Sequence, residues 1–435
     1  MKKLLPLFIT AALGSMATSA YADSITEIYE LAKKNDPQLL AAEASKNAAF
    51  EAIDISRSTL LPQVNLTASY DINKVTAKGN NADYNQLGAG VGFSQELYNR
   101  ASWVTLDQAE KTARQSDSSF AAVQQGLILR VASAYFEVLR AQDSLEFVRA
   151  EKAAVARQLE QTKQRFEVGL SAITDVHDAQ AQFDSVLASE VLAENTLINS
   201  YESLREITGE QHDNLDVLDT ERFSAQPTKA STDALIQEAE EKNLTLLAQK
   251  IAQDIAKDSI ALASSGHLPS LTLDGGYNHS DVDKGINEGK TDAFNVGINL
   301  SVPLYSGGRT TAQTKQAEAN YVAASQNLEQ TYRSVVKEVR ASNNNINATI
   351  GALKAYEQSV VSAESALEAT EAGFEVGTRT IVDVLDSTRR LYDANRNLSN
   401  ARYDYIISVL TLRQAVGTLS EQEILDINAG LKSAQ

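Results

Sequence analysis

The stretch FEVGLSAITDVHD, Phe166 to Asp178, returns 208 positions later as FEVGTRTIVDVLD, Phe374 to Asp386, with eight of thirteen positions identical. Each copy reads as a turn between helices: one helix closes at Gly169 or Gly377, suited to a left-handed C-cap, and the next opens behind Ser171 or behind Thr378 or Thr380. Asp175 and Asp383 then fall in the first turn, where a carboxylate complements the helix dipole by roughly 0.3 to 1 kcal/mol. That explains the first aspartate of each copy. It leaves Asp178 and Asp386, one turn further along, without a reason.

The repeat extends well beyond the turn. LPQVNLTASY from Leu61 matches LPSLTLDGGY from Leu268, and GFSQELY from Gly92 aligns with INLSVPLY from Ile298. The chain is a tandem duplication, 23–228 and 229–435, joined near Pro227 and a Ser/Thr cluster. Residues 1–22 read as a secretory signal: Lys2 and Lys3, the apolar run LLPLFITAALGSMA, and the small-residue end Ala20-Tyr21-Ala22. Its removal shifts the net charge from -18 to about -20 and takes away both methionines.

Each half contains two period-2 segments. Val64, Leu66, Ala68, Tyr70 and Ile72 alternate with Gln63, Asn65, Thr67, Ser69 and Asp71, and Leu87, Ala89, Val91 and Phe93 alternate with glycine and serine. The second half repeats this with Leu271, Leu273 and Tyr277, then Phe294, Val296, Ile298, Leu300 and Val302. The expected strands are about 62–72, 86–98, 269–280 and 294–304, with polar loops NKVTAKGNNAD and SDVDKGINEGKTD between them. Strands of about eleven residues suit a membrane, yet four cannot close a barrel, whose smallest bacterial forms need about eight. Either several chains share one barrel, or the strands form an ordinary soluble sheet; very long helices between the strands count against the sheet.

Those helices are expected at about 100–167, 171–209, 307–375 and 379–417. Seven-residue spacing runs through Val131, Val138, Leu145, Lys152, Leu159 and Phe166, and through Val339, Ile346, Leu353, Val360, Leu367 and Phe374. The returning helices carry Val176, Phe183, Glu190, Leu197 and Leu204, then Val384, Leu391, Leu398, Tyr405 and Leu412. Sustained heptads call for supercoiled partners, and a helix of that length runs roughly 100 Å at 1.5 Å per residue. No proline lies between Pro62 and Pro227 or after Pro303 to break them. Shorter helices start at Asp36-Pro37 and near Lys242; the segments after Gly209 and Gly417 read as an irregular acidic belt.

Composition excludes several functions. The chain has no cysteine, which removes disulfides, thiolate metal sites, cysteine nucleophiles and lipoprotein acylation. Its acidity argues against nucleic acid. No GxxxxGK[ST] loop is present. His177, His212, His267 and His279 show no metal spacing. No nucleophile, metal or cofactor constellation marks an enzyme, and no cofactor is expected. An extended coiled-coil adhesin or scaffold would explain the signal and heptads, but has no use for a duplicated amphipathic strand pair.

Taken together, the signal, the duplicated order of helix, strand pair and helical hairpin, and the sequences VGLSAITDV, GTRTIVDVLD and NARYDY resemble the TolC outer-membrane channel family. The resemblance implies a mainly α fold with transmembrane β-structure, in which three copies give four strands each to a twelve-stranded barrel above a periplasmic helical tunnel. It implies an exit duct for drug efflux and type I protein secretion, a homotrimer in outer-membrane lipid, docked by a periplasmic adaptor and an inner-membrane drug or ABC-type transporter. Carried over by position, the gate would pair Asp175 with Arg379, Thr174 with Arg402 of the partner subunit, and Gln158 with Glu371. Asp383 and Asp386 would ring the constriction, making the pore cation-selective and open to block by multivalent cations. Val168, Gly169, Leu170, Val376, Gly377 and Thr378 would meet the adaptor. Two departures stand out: Phe374 lacks the hydroxyl that the family's tyrosine donates to Asp175, which should loosen the gate, and Asp178 beside His177 replaces an amide.

Overall fold

The computed structural model describes residues 23–77, 80–284 and 288–433; the expected signal at 1–22 lies outside the described residues. The first repeat runs α1 (Ile25–Asn35), α2 (Pro37–Ser58), β1 (Gln63–Ala77), β2 (Asn80–Asn99), α3 (Arg100–Glu167), α4 (Ile173–Thr208) and β3 (Val217–Leu218). The second runs α5 (Thr232–Lys242), α6 (Leu244–Ser264), β4 (Ser270–Val282), β5 (Gly289–Ser301), α7 (Arg309–Glu375), α8 (Ile381–Val416), α9 (Glu421–Asn428) and β6 (Leu431–Lys432). At 68 residues, α3 spans about 100 Å.

Four strands form one antiparallel sheet in the order β1-β2-β4-β5. Registers Leu66↔Val91, Val91↔Tyr277 and Tyr277↔Phe294 put the apolar residues of all four strands on one face. Leu66, Ile72 and Phe294 are 79%, 78% and 77% exposed in the single chain. The opposite face is polar, with Ser94 Oγ donating to Asp274 at 2.6 Å and Gln86 to Ser280 at 3.0 Å. The ladders continue into the expected loops, pairing Ala77 with Asn80 and Val282 with Gly289. Strand pairing uses backbone groups, so it outlasts the apolar pattern where both faces meet water. β5 stops at Ser301 rather than reaching 304, just before Pro303, which has no N–H to donate.

The helices form two antiparallel hairpins, α3 with α4 and α7 with α8, while α2 and α6 flank the end nearest the strands. Expected heptad positions are buried: Val131, Val138, Leu145, Leu159, Val339, Ile346 and Leu353 are all at most 6% exposed. The two charged interruptions, Lys152 and Glu190, turn out to bond each other across the first hairpin, with Arg149 joining at 3.3 Å. These cations hold the Glu190 carboxyl below its ordinary range, the Lys152 hydrogen bond contributing most.

The largest core sits near the middle of α3. Ile25, Ile28, Leu127, Tyr135, Phe136, Leu139, Leu204, Leu215 and Ile424 are sealed there. The belt segments are thus ordered: β3 pairs with β6, and Tyr135 Oη donates to the Asp216 carbonyl at 2.7 Å. Asp36 caps α2 through Leu39 N at 2.8 Å and takes both Arg130 nitrogens; in the second repeat Asn243 caps α6 through Leu246 N at 2.9 Å.

Candidate functional site

The two repeated turns stand together at the end of the hairpins remote from the sheet. Each is a Schellman closure. Leu170 N donates to Arg165 O at 2.7 Å and Gly169 N to Phe166 O at 2.9 Å; Thr378 N donates to Gly373 O at 2.8 Å and Gly377 N to Phe374 O at 3.1 Å. Gly169 and Gly377 have φ of 78° and 79°, where a side chain would be strained. Such tight closures leave Val168, Leu170 and Val376 standing 69%, 71% and 76% exposed at the apex.

The first aspartates act as caps. Thr380 is the N-cap of α8, its Oγ1 accepting from Asp383 N at 3.3 Å while Asp383 accepts from Thr380 N and Oγ1, both at 2.9 Å. These bonds hold the Asp383 carboxyl below its usual range, with Arg379 adding charge. In the first copy the cap position is Ala172, one residue later than Ser171, so only half the box forms. There Asp175 accepts from Ser171 Oγ at 2.7 Å and Ala172 N at 3.1 Å.

The expected gate pairs are placed differently within one chain. Arg379 lies along Gly373, where a Cβ would meet its Cγ at 2.7 Å, and Asp175 is occupied by its own cap. Gln158 is buried and donates to Thr388 Oγ1 at 3.0 Å, whereas Glu371 is exposed on α7. Thr174 is in the first turn of α4, but Arg402 stands roughly 30 Å up α8 from its first turn. Within one chain Thr174 and Arg402 therefore stand at different levels. Phe374 is not left slack: the Arg165 guanidinium sits 4.6 Å from its ring centroid, and the ring packs on the buried tip cluster of Val155, Leu159, Ala179, Ile381 and Leu385. His177 and Asp178 lie in the second turn of α4, and both are exposed.

Asp386 is the aspartate with partners of its own. Arg389 Nη2 reaches its Oδ1 at 2.7 Å and Arg390 Nη2 its Oδ2 at 2.6 Å. Sequence reading passed over Arg165, Thr388, Arg389 and Arg390. The i,i+3 and i,i+4 spacing from Asp386 was the available signal for the last two. Among the described residues no cluster of three or more His, Asp or Glu side chains could hold a metal ion.

A sheet with an apolar outer face and two unpaired edges, carried on helical hairpins of this length, defines a subunit of an outer-membrane barrel joined to a helical tunnel. The chain belongs to the outer membrane efflux protein family, whose model matches residues 28–210 and 235–418. It is 69% identical over 439 residues to the outer membrane protein TolC of Vibrio cholerae serotype O1, covering all of both chains. The outer membrane protein TolC of Escherichia coli K12 is 44% identical, over 99% of this chain and 90% of that one. The proteases secretion protein PrtF of Dickeya chrysanthemi is 29% identical, over 98% and 95%. Among solved structures, CusC superposes with a TM-score of 0.80 at 18% identity, covering 91% of this chain and 92% of that one. The Campylobacter jejuni CmeC outer membrane channel gives 0.79 at 17% identity, covering 99% and 98%. The two solved structures agree with the fold; the closer relatives place the chain in the outer membrane as an exit duct for efflux and type I secretion.

Proposed function

We propose that three copies of this chain close one barrel and one tunnel, and that the paired turns form the gate where a periplasmic adaptor and an inner-membrane transporter dock. The observation that carries this is the open sheet. Within hydrocarbon every backbone N–H and C=O needs a partner, so β1 and β5 require strands from neighbouring copies. Four strands per chain and the expected trimer give twelve. The exposed Val168, Leu170 and Val376, with Gly169, Gly377 and Thr378 between them, offer the adaptor an apolar apex. No catalytic role is assigned, in keeping with relatives named as outer membrane, efflux and secretion proteins.

In this reading Asp383 and Asp386 face the aperture in three copies. Asp175 and Arg379, Gln158 and Glu371 remain the residues through which subunits would latch; copies rotated about one long axis would keep their heights, so Arg402 is not proposed as the partner of Thr174. Unheated gel mobility of outer-membrane extracts tests the assembly: a trimer-sized band is expected, and a monomer under every gentle extraction would refute it. A deletion strain should gain drug susceptibility and lose protein secretion, both restored by the gene; an unchanged strain would contradict the duct.

A further inference from the structure

The two copies of the tip turn differ most usefully at one pair of positions. Ala181 and Gln182 of α4 correspond, 208 residues on, to Arg389 and Arg390 of α8. Each pair follows an aspartate at i+3 and i+4, the spacing at which helix side chains meet. In α8 both oxygens of Asp386 therefore hold a guanidinium, at 2.7 and 2.6 Å. In α4 nothing equivalent is possible, because the helix has no lysine or arginine before Arg205.

The starts of α4 and α8 border one cleft of about 630 Å³, lined by Asp178, Ala181 and Gln182 from α4 and by Asp383, Asp386 and Arg389 from α8, with Arg390 outside the lining but paired to Asp386. We propose that Arg389 and Arg390 are specificity-determining residues of the aperture: they cancel Asp386, leaving Asp178 and Asp383 as the carboxylates open to a permeating ion. This rests on the reading of the tip as the aperture. Per chain, three carboxylates stand against two guanidinium groups, with Arg379 adding positive charge near Asp383. Exposed ion pairs contribute little to stability, but their charges still cancel for any ion passing within a Debye length of about 8 Å. The entrance is thus uneven, acid at Asp178 on the α4 side and close to neutral on the α8 side, where Asp383 and Asp386 stand against Arg389 and Arg390. Its cation preference is weak, and it admits anionic cargo, such as acidic polypeptide segments, that a ring of bare carboxylates would repel.

The test is the reversal potential of the full-length channel in planar bilayers under a potassium chloride gradient, with block by trivalent lanthanum as a second readout. Arg389→Ala with Arg390→Ala should raise the potassium-to-chloride permeability ratio several-fold and tighten lanthanum block by about tenfold or more. Ala181→Arg with Gln182→Arg, which builds the missing clamp in α4, should lower the ratio and weaken block even if the first variant assembles poorly. Asp383→Asn should also lower the ratio. If Asp383→Asn acts and both arginine exchanges do nothing, the charge-setting role is wrong and the aperture stands. If none of the three changes selectivity, the aperture reading itself falls.

Discussion

The middle of the molecule and its tip are built from the same helices by different means. Around Tyr135 and Phe136 the chain seals large side chains from α1, α3, α4, α8, α9 and both belt strands into one core. At the tip a smaller cluster is backed by caps, a cation–π contact and exposed ion pairs. Buried aromatic packing is worth several kcal/mol per residue, whereas caps, cation–π contacts and surface pairs contribute about 1 kcal/mol each. The middle is therefore fixed, and the tip can be opened by a docking partner that supplies a few such contacts.

The sharpest way to break this contrast is a large-to-small change at each end. Phe136→Ala should cost about 3 to 5 kcal/mol, visible as loss of the folded oligomer at lower denaturant. Leu170→Ala at the exposed apex should stay within about 0.5 kcal/mol in the same measurement while weakening adaptor co-purification. Next in size is the cap. Thr380→Ala should destabilise the start of α8 by about 0.5 to 2 kcal/mol, read as faster amide exchange there. Ser171→Ala should do less, since Ser171 lies outside the cap position.

Acid should act with opposite sign on two carboxylates of the tip half, one buried beside its cluster and one in its cap. Burial, then the charge of Asp393, raises the pKa of Glu151, so the folded chain takes up a proton more readily than the unfolded one. Its stabilising protonated form is present below the ordinary carboxylate range and is lost as pH rises through the raised value. Asp383 is depressed, so its cap is present above that range and is lost as pH falls through the lowered value. Melts of Glu151→Gln across pH 4 to 8, a span of roughly four units around these carboxylates, should gain stability at the neutral end only. The smallest effect is expected at Phe374. Because Arg165 already holds the ring, Phe374→Tyr should lower channel opening in bilayers less than Arg165→Ala raises it; the reverse order would restore the loosened gate expected from sequence.

Periodicity made the helices and the apolar face of the sheet legible, because both follow from side-chain spacing alone. Even the misfits had a pattern: Lys152 and Glu190 interrupt facing heptads and pair with each other. The strand ends were not legible, since ladder bonds ignore side chains beyond the membrane band. Nor was the belt, whose strands of two residues depend on distant chain segments. At the tip, the turns and caps could be read locally. Contacts between helices could not: Gln158 met Thr388, 230 residues away, and Arg165 met Phe374.

Hydrogen exchange on the assembled, membrane-extracted protein tests the division between fixed middle and yielding tip most directly. Amides around 165–180 and 373–390 should exchange much faster than those around 125–140 in α3, because local opening costs far less at the tip than in the core. Equal protection in the middle and at the tip would contradict a gate at the paired turns.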